Sequence, residues 1–514
     1  MDHDLAAISG ERAVATRPAT GASFFHLEEV GIVDQACQGT ACFLARHRDP
    51  GTWSRAVDTT PRVHCLGRCH AAPATAAGDP GRPHVEVDAS TPVVLERIVA
   101  AQGPTLAEYR AADGYQGLER ALGLPAPRIV DEVEASGLRG RGGAAFPAGR
   151  KWRAVLGQGA ATAYVVCNAD EGDPGAYSDR VLLEDDPHAV LEGLAIAALA
   201  TGARRGVVYV RKEYPGALVA IGRAVAEARA GGILGASLLG DGPPFDVEVV
   251  EGRGSYVCGE ETALLNALEG RRPEVRARPP YPSQHGLFGA PTAVNNVETL
   301  AAVPWIVRHG ARAHAALGTP GSPGTKVVSL SSLFRRPGLY EVELGTPVRD
   351  IVERLGGGVA DGELRGVLVG GPLAGILPPH LLDTALDFEA MQMVGCEVGH
   401  GGVVAIDEHT SIPELVHHVF RFGAYESCGK CTPCRAGAAR VEEIFGAALP
   451  REVGPAGHLA PPPAAGVSGT TGHEWRATVA ALAATSLCGH GGGLAAFARS
   501  AMAHYGEEID RCLG

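Results

Sequence analysis

The stretch AYVVCNADEGDPGAYSDRVLLEDDPHAVLEGLAIAALATGARRGVVYV, residues 163–210, decides the fold class. It opens with a short apolar run of buried-strand length. An acidic, glycine-bearing loop follows. Val190, Leu191, Leu194, Ala197 and Ala198 then fall on one helical stripe over 187–202, with Gly202 placed to stop it. GVVYV at 206–210 is a second apolar run. Strand, helix and strand at this spacing predict two parallel strands joined by a crossover. In an open sheet of this kind ligands bind beyond the carboxyl ends of the strands. That is where CNADEGDPGAYSDR (167–180) puts Asn168, Asp170, Glu171 and Asp173. Carboxylates crowded in that way have perturbed pKa values, or bind Mg²⁺.

Outward from this core the alternation continues. Residues 215–230 read as a helix ended by Gly231–Gly232, and FDVEVV (245–250) as a third strand, so 106–325 is expected to be one α/β domain. Residues 326–408 change character: VVSLSS, LYEVEL and VLVGG are strand-like, with one short helix at 347–355, which predicts a compact α+β module. Residues 409–514 are expected to be mostly helical, over 411–425, 434–448, 474–486 and 492–508, with a Pro/Gly-rich exposed loop at 449–473. Residues 1–105 read as a small separate module with two cysteine pairs, closed by a strand at HVEV (84–87).

The chain has 514 residues, enough for about three to five domains. Its net charge of −13 argues against general nucleic-acid binding, which needs a basic footprint. The most apolar stretch, Val190 to Val210, is interrupted by Glu192, Arg204 and Arg205, so no membrane span is expected. The N-terminal MDHDLAAISGERAV lacks the basic and apolar regions of an export signal. A cytoplasmic protein is expected, associated with a membrane only through partners.

Twelve cysteines in a reducing compartment point to metals rather than disulfides. Cys428, Cys431 and Cys434 form C-x2-C-x2-C, a [4Fe–4S] spacing that needs a fourth ligand from elsewhere, and Cys488 in SLCGHG is the natural one. Structural zinc, which takes two separated pairs, is the alternative. Cys37–Cys42 and Cys65–Cys69 are two such pairs, and spacing alone leaves [2Fe–2S] and zinc open for them. Cys167, Cys258, Cys396 and Cys512 stand alone. SGLRGRGGAAFPAGRKW (136–152) combines glycines with basic residues, a phosphate-cradling composition that fits neither the P-loop nor the G-x-G-x-x-G pattern. GSYVCGEETAL (254–264) and NNVET (295–299) are read as loops whose amides and carboxylates suit the edges of a flat heterocycle.

Five strings in this order, GLRGRGGAAFPAGRKW, CNADEGDPGAYSDR, YVCGEETALLNALEG, PTAVNNVETL and ESCGKCTPCRAG, resemble the flavoprotein subunit of NADH dehydrogenase (complex I). They resemble equally the diaphorase subunits of NAD-dependent formate dehydrogenases and NAD-reducing hydrogenases. The resemblance covers roughly 110–510. It implies FMN, NAD(H) and a [4Fe–4S] cluster on Cys428, Cys431, Cys434 and Cys488. It further implies that Gly140, Gly142 and Gly143 line the flavin and that Lys151, Asn168, Asp170, Gly259, Glu260, Glu261, Asn295, Asn296 and Thr299 bind it. Phe146, Glu171, Asp173, Tyr256, Arg278 and Tyr281 would face the dinucleotide. Of these, Glu171 and Asp173 would orient the nicotinamide and ribose, and Tyr256 would close the site. Complex I relatives usually carry Glu at Asp173, an aromatic at Ala154, and Lys and Phe at Arg278 and Tyr281. The Asp173 form is closer to the hydrogenase and formate dehydrogenase branch.

Residues 326–408 resemble that family's β-grasp (SLBB-like) module. The N-terminal segment ACQGTACFLARHRD…VHCLGRCHAAPA resembles a trimmed thioredoxin-like [2Fe–2S] subunit, here fused, which implies [2Fe–2S] on Cys37, Cys42, Cys65 and Cys69. The implied function is hydride transfer between NAD(H) and FMN, then one-electron steps through the clusters to iron–sulfur and catalytic partner subunits. The host would be a soluble formate dehydrogenase or hydrogenase, with complex I as the alternative. A non-catalytic zinc scaffold is the reading from another class, and an absorption spectrum separates them. Flavin and iron–sulfur bands in the visible range are expected, and a colourless, zinc-containing protein would refute them.

Overall fold

The computed structural model describes residues 26–27, 34–58, 60–449 and 471–514. The N-terminal stretch read for an export signal and most of the Pro/Gly-rich segment at 449–473 lie outside them. The strands are β1 (His84–Val87), β2 (Tyr164–Ala169), β3 (Arg205–Val210), β4 (Asp246–Glu251), β5 (Thr292–Asn296), β6 (Thr325–Leu330), β7 (Gly338–Glu343), β8 (Leu364–Val369), β9 (Ile376–Leu377) and β10 (Gly402–Asp407).

The first sheet has the order β4-β3-β2-β5, and each pairing is parallel. The expected strand at 163–167 is its central β2. NNVET is not a loop: Asn295 and Asn296 end β5, paired with Cys167 and Asn168 of β2, and the helix Val297–His309 starts directly after them. A run as short as TAVNN becomes a strand because β2 supplies its ladder partners, which the sequence alone does not display. GSYVCGEETAL also gains regular structure, a turn at Tyr256–Gly259 and the helix Glu261–Leu268. The Glu260 carboxylate accepts from the Thr262 and Ala263 amides and so caps that helix.

The helix Pro187–Thr201 ends at Gly202 in the left-handed conformation, as expected. It is buried all round, not on one stripe, because it lies between β2 and the helix Val297–His309. Two details follow from that burial. Glu192 on this helix is satisfied internally by the Tyr109 hydroxyl and the Tyr115 and Leu118 amides. Gly193 faces the neighbouring helix so closely that a Cβ there would lie 2.0 Å from the Leu300 carbonyl oxygen.

The second sheet is mixed, in the order β1-β7-β6-β10-β8-β9. Its edge strand corrects an expectation. HVEV at 84–87 does not close the N-terminal module but pairs in parallel with Gly338–Glu341 of β7. The buried Glu341 side chain fixes this crossing by accepting from the amides of Val93, Val94 and Leu95. The two sheets are tied by a fully buried ion pair, Lys326 on β6 with Glu298 at the start of the helix Val297–His309. Glu298 also accepts from the Val327 amide.

Four helices complete the chain: Ile412–Tyr425, Thr432–Ala448, Thr471–Thr485 and Gly489–Leu513, close to the expected ranges. No helix among the described residues is long and apolar enough to cross a membrane. Gly193→Ala should destabilise the folded chain by about 1–3 kcal/mol, since neither backbone can yield without repacking. Thermal denaturation checks this, and an unchanged midpoint would contradict the close approach.

Candidate functional site

The carboxyl ends of β2 and β5 bring the predicted residues together. Asn168 donates from Nδ2 to the Gly259 carbonyl at 2.8 Å, which docks the 256–260 turn against the end of β2. The glycine-rich loop approaches from the β5 side. The Arg141 amide donates to Thr299 Oγ1 at 2.8 Å, and a Cβ at Gly142 would lie 2.9 Å from Asn296 Cβ. Asn296 is committed to scaffolding: Oδ1 accepts from the Thr299 amide and Nδ2 donates to Asp179 at 2.7 Å. Lys151, from the helix Ala148–Leu156, reaches Glu261 at 3.2 Å and the Val294 carbonyl at 2.7 Å. Glu261 also pairs with Arg278 at 3.3 Å.

Several buried polar atoms of this cradle are left over, Arg141 Nη1 and Asp179 Oδ1 among them, together with an amide. Asn295 is buried and accepts from Trp152 Nε1 through Oδ1, but its Nδ2 has no partner among the described residues. A buried amide donor costs free energy unless something accepts from it. A planar heterocycle with carbonyl and ring-nitrogen acceptors fits that donor, and the missing side chain of Gly142 lets the glycine-rich loop close directly onto Asn296 beside it. The residues present therefore fit FMN. Around the rim, Phe146 and Tyr281 are each 53% exposed and Arg278 is exposed, so two aromatic faces and a cation border the opening.

The three acidic residues after β2 do not converge on one ion. Asp170 is partly buried at the turn, and burial pushes its carboxyl well above the usual range. Asp173 accepts from the Tyr256 hydroxyl at 2.5 Å, and burial raises its carboxyl too. Glu171, expected beside Asp173 on the dinucleotide face, is turned inward and fully buried. Its carboxylate accepts from the amides of Asp179 and Arg180, at the start of the helix Ser178–Asp185, and from Ser178 and Tyr214. A fully buried charge needs this many donors, which explains the inward turn.

Sequence reading missed His400, which sits between two glycines before β10. Its ring lies 3.4 Å from Glu171 and 3.5 Å from Asp179. Burial works against its charge, but Asp179, Glu171 and Asp173 outweigh it and push the imidazole up to about 9. No local pattern marks this residue, because its partners are more than two hundred positions away. Arg211 was missed as well: it donates to the carbonyls of Glu171, 40 positions away, and Cys65, 146 positions away, and pairs with Glu213, joining the loop after β2 to the N-terminal module.

Behind the 256–263 segment lie Cys428 and Cys488, with Cys431 and Cys434 of the same set. Cys431 and Cys488 each immediately precede a helix, Thr432–Ala448 and Gly489–Leu513. Both helix starts thus carry their positive dipole ends toward the sulfurs, which favours an anionic cluster. Cys488 packs with Cys428, Val257 and Ala263. Burial first, and then the neighbouring thiols, push Cys434 up to about 12; Cys488 rises to about 11, mainly through burial. Ser427 Oγ lies 3.3 Å from Cys434 Sγ. An all-cysteine donor set, with Cys428 and Cys434 buried and Cys431 and Cys488 half-buried, fits a [4Fe–4S] cluster. Tyr256 sits between the two regions, its ring edge-on to Phe422 and near His490 and its amide donating to Glu426.

His400 gives a pH signature. Its folded value is raised above the ordinary 6.5, so its stabilising contribution is fully present below about pH 6.5 and is lost as pH rises through about 9. His400→Gln should lower the thermal midpoint more at pH 6.5 than at pH 9.5. A gap between the two proteins that does not shrink with rising pH would refute the charged imidazole.

Three family models match the chain: the Nuo51 FMN-binding domain over 133–305, the SLBB domain over 335–377, and the NADH-ubiquinone oxidoreductase-F iron-sulfur binding region over 414–512. An F-type NADH-quinone oxidoreductase subunit of Rhizobium meliloti is 44% identical over 348 residues, 67% of this chain and 83% of the relative. NADP-reducing hydrogenase subunit HndC of Solidesulfovibrio fructosivorans is 45% identical over 339 residues, 66% and 69% of the two chains. The air-oxidised crystal structure of NAD⁺-reducing [NiFe]-hydrogenase matches with a TM-score of 0.75 and 28% identity, covering 96% of this chain and 87% of that one. With FMN-binding and iron–sulfur regions matched in order, and with relatives of this identity over most of their length, the chain belongs to the 51 kDa-type flavoprotein family of NADH dehydrogenases and hydrogenase diaphorases, whose cofactors are FMN, NAD(H) and a [4Fe–4S] cluster.

Proposed function

We propose that this chain is the diaphorase subunit of a soluble, multi-subunit NAD-linked hydrogenase or formate dehydrogenase in the cytoplasm. In this reading residues 1–105, apart from the β1 edge strand that joins the second sheet, form a thioredoxin-like [2Fe–2S] module, 106–325 the FMN/NAD(H) domain, 326–408 the β-grasp module and 409–514 the helical [4Fe–4S] domain. The observation that carries it is the adjacency of the Asn295 cradle and the Cys428, Cys431, Cys434 and Cys488 set, separated only by the 256–263 segment. The structural likeness to the NAD⁺-reducing hydrogenase, which spans 96% of this chain including its N-terminal part, supports a host in which the N-terminal module is fused.

FMN, when bound, supplies the exchange between two-electron hydride chemistry and one-electron transfer. The protein's part is positioning. Asn295 offers its free amide to the isoalloxazine; Gly140, Gly142 and Gly143 keep the loop flat against it; Lys151 and Glu261 border it. Asn168, Asn296, Thr299 and Glu260 hold the cradle in place, and Asp170 and Gly259 form its floor. Phe146, Tyr281 and Arg278 receive the dinucleotide. Asp173 orients the nicotinamide and ribose, and Tyr256 closes the site by donating to Asp173. Glu171 acts as a positioning residue from behind. Hydride transfer itself asks no side chain to move a proton.

For the N-terminal site, the 3.9 Å separation of Cys65 and Cys69 sulfurs is close to the edge of a tetrahedron with 2.3 Å metal–sulfur bonds, about 3.8 Å. Among the described residues these four sulfurs form no group in which three lie within 4.8 Å of one another. A single tetrahedral zinc needs all four that close, so the arrangement favours two metals, each held by one pair.

Asp173→Ala should raise KM for NADH about tenfold or more, the loss expected for a hydrogen bond involving a charged group. FMN content should stay unchanged. Steady-state NADH oxidation with an artificial acceptor, alongside flavin quantitation, decides it. Unaltered kinetics would remove Asp173 from the dinucleotide site, and loss of flavin would move it to the cradle.

A further inference from the structure

A second polar constellation lies away from the flavin, where the N-terminal module meets the end of β10. His47 follows the short helix Thr40–Leu44, and Asp407 and His409 sit at the turn that leaves β10. One ligand atom from each of the three lies within 4.8 Å of the other two. Asp407 is 1% exposed, and its Oδ1 accepts from the His409 amide. Its Oδ2 and both ring nitrogens of His47 have no hydrogen-bond partner among the described residues, although His47 Nε2 and Asp407 Oδ2 face each other at 3.5 Å. The His47 and His409 rings lie side by side, with centroids 4.3 Å apart.

That distance between His47 Nε2 and Asp407 Oδ2 is informative. It is longer than a good N–H···O hydrogen bond, at about 2.7–3.2 Å. It matches the edge of a tetrahedron built on metal–ligand bonds of about 2.0–2.1 Å, which is roughly 3.4 Å. When both rings present a lone pair, three acceptors converge on one point. A water molecule brings two protons, whereas a cation satisfies all three. Two imidazoles and a carboxylate suit a first-row divalent ion of the zinc type rather than Mg²⁺ or Ca²⁺, which prefer oxygen. We propose that His47, Asp407 and His409 form a binding site for one zinc-type divalent cation that staples the N-terminal module to the second sheet. Exposed His409 gives the ion a way in, and a coordination position remains for water.

The surroundings fit a staple. Arg46 donates to Thr410 and pairs with Glu414, and Phe43 stacks on His418 with centroids 4.1 Å apart. Arg48 is held by Asp361 and the Ser332 carbonyl.

The test uses the full-length, cofactor-loaded protein and Zn²⁺ as the probe. Calorimetric titration and metal analysis after dialysis are run on wild type, His409→Ala and, as a second variant at the other ring, His47→Gln. The wild type should take up one zinc equivalent more than either variant, or bind it more than about tenfold tighter. Its thermal midpoint should also rise with Zn²⁺ where those of the variants do not, with iron and flavin contents alike in all three. Equal zinc stoichiometry and affinity in wild type and variants would overturn the proposal, as would a midpoint shift that survives both substitutions.

Discussion

The constraint on which the rest of the structure depends is the burial of the Glu171 carboxylate. A charge with no access to water persists only when donors surround it, and those donors come from separate parts of the chain. The helix Ser178–Asp185 supplies two amides and a serine hydroxyl, and the residues after β3 supply Tyr214. His400, just before β10, adds an ion-pair neighbour at 3.4 Å, and Arg211 donates to the Glu171 carbonyl while reaching Cys65. Three regions of the chain therefore meet at one buried group. That group sits two residues from Asp173 and three from Asn168, so the end of β2 and the loop that follows it inherit its rigidity.

The same logic explains how cradle and cluster are kept in register. Between them runs one segment, from Tyr256 to Ala263. Its front is docked by Asn168 and capped by Glu260, and its back packs on Cys428 and Cys488. Tyr256 links both sides through Asp173 and Glu426. No flexible linker intervenes between the flavin-side and iron-side residues, as electron transfer over a short fixed distance requires. The second sheet contributes from outside: Gly371 approaches Asp173, and the buried Lys326–Glu298 pair anchors the helix Val297–His309.

How much of this was legible beforehand depended on whether the information was local. The parallel sheet was readable from residues 163–250, because apolar runs and a helix stop recur at fixed spacing. The C-x2-C-x2-C triplet was readable because three ligands lie within seven residues. The strand TAVNN was not, since its pairing partners lie in β2. HVEV was assigned to the wrong neighbour because an edge strand carries no mark of which sheet it joins. The helix Pro187–Thr201 showed a stripe in sequence but is buried on every side, because alanine and glycine suit both a half-buried and a fully enclosed helix.

The sequence by itself determined the chemistry on offer: thiolates in sets for iron, glycines and amides for a flat cofactor, and a chain belonging to an NAD-linked flavoprotein family. Only the tertiary structure decided which of those groups face a ligand and which face the protein. It left the Asn295 amide without a partner, spent Asn296 on scaffolding, turned Glu171 inward while leaving Asp173 at the rim, and brought His47 to Asp407 across more than three hundred residues. The physical reason is that hydrogen bonds and burial are satisfied in space. A side chain's type fixes what it can donate or accept, and only its surroundings fix whether that capacity is still free.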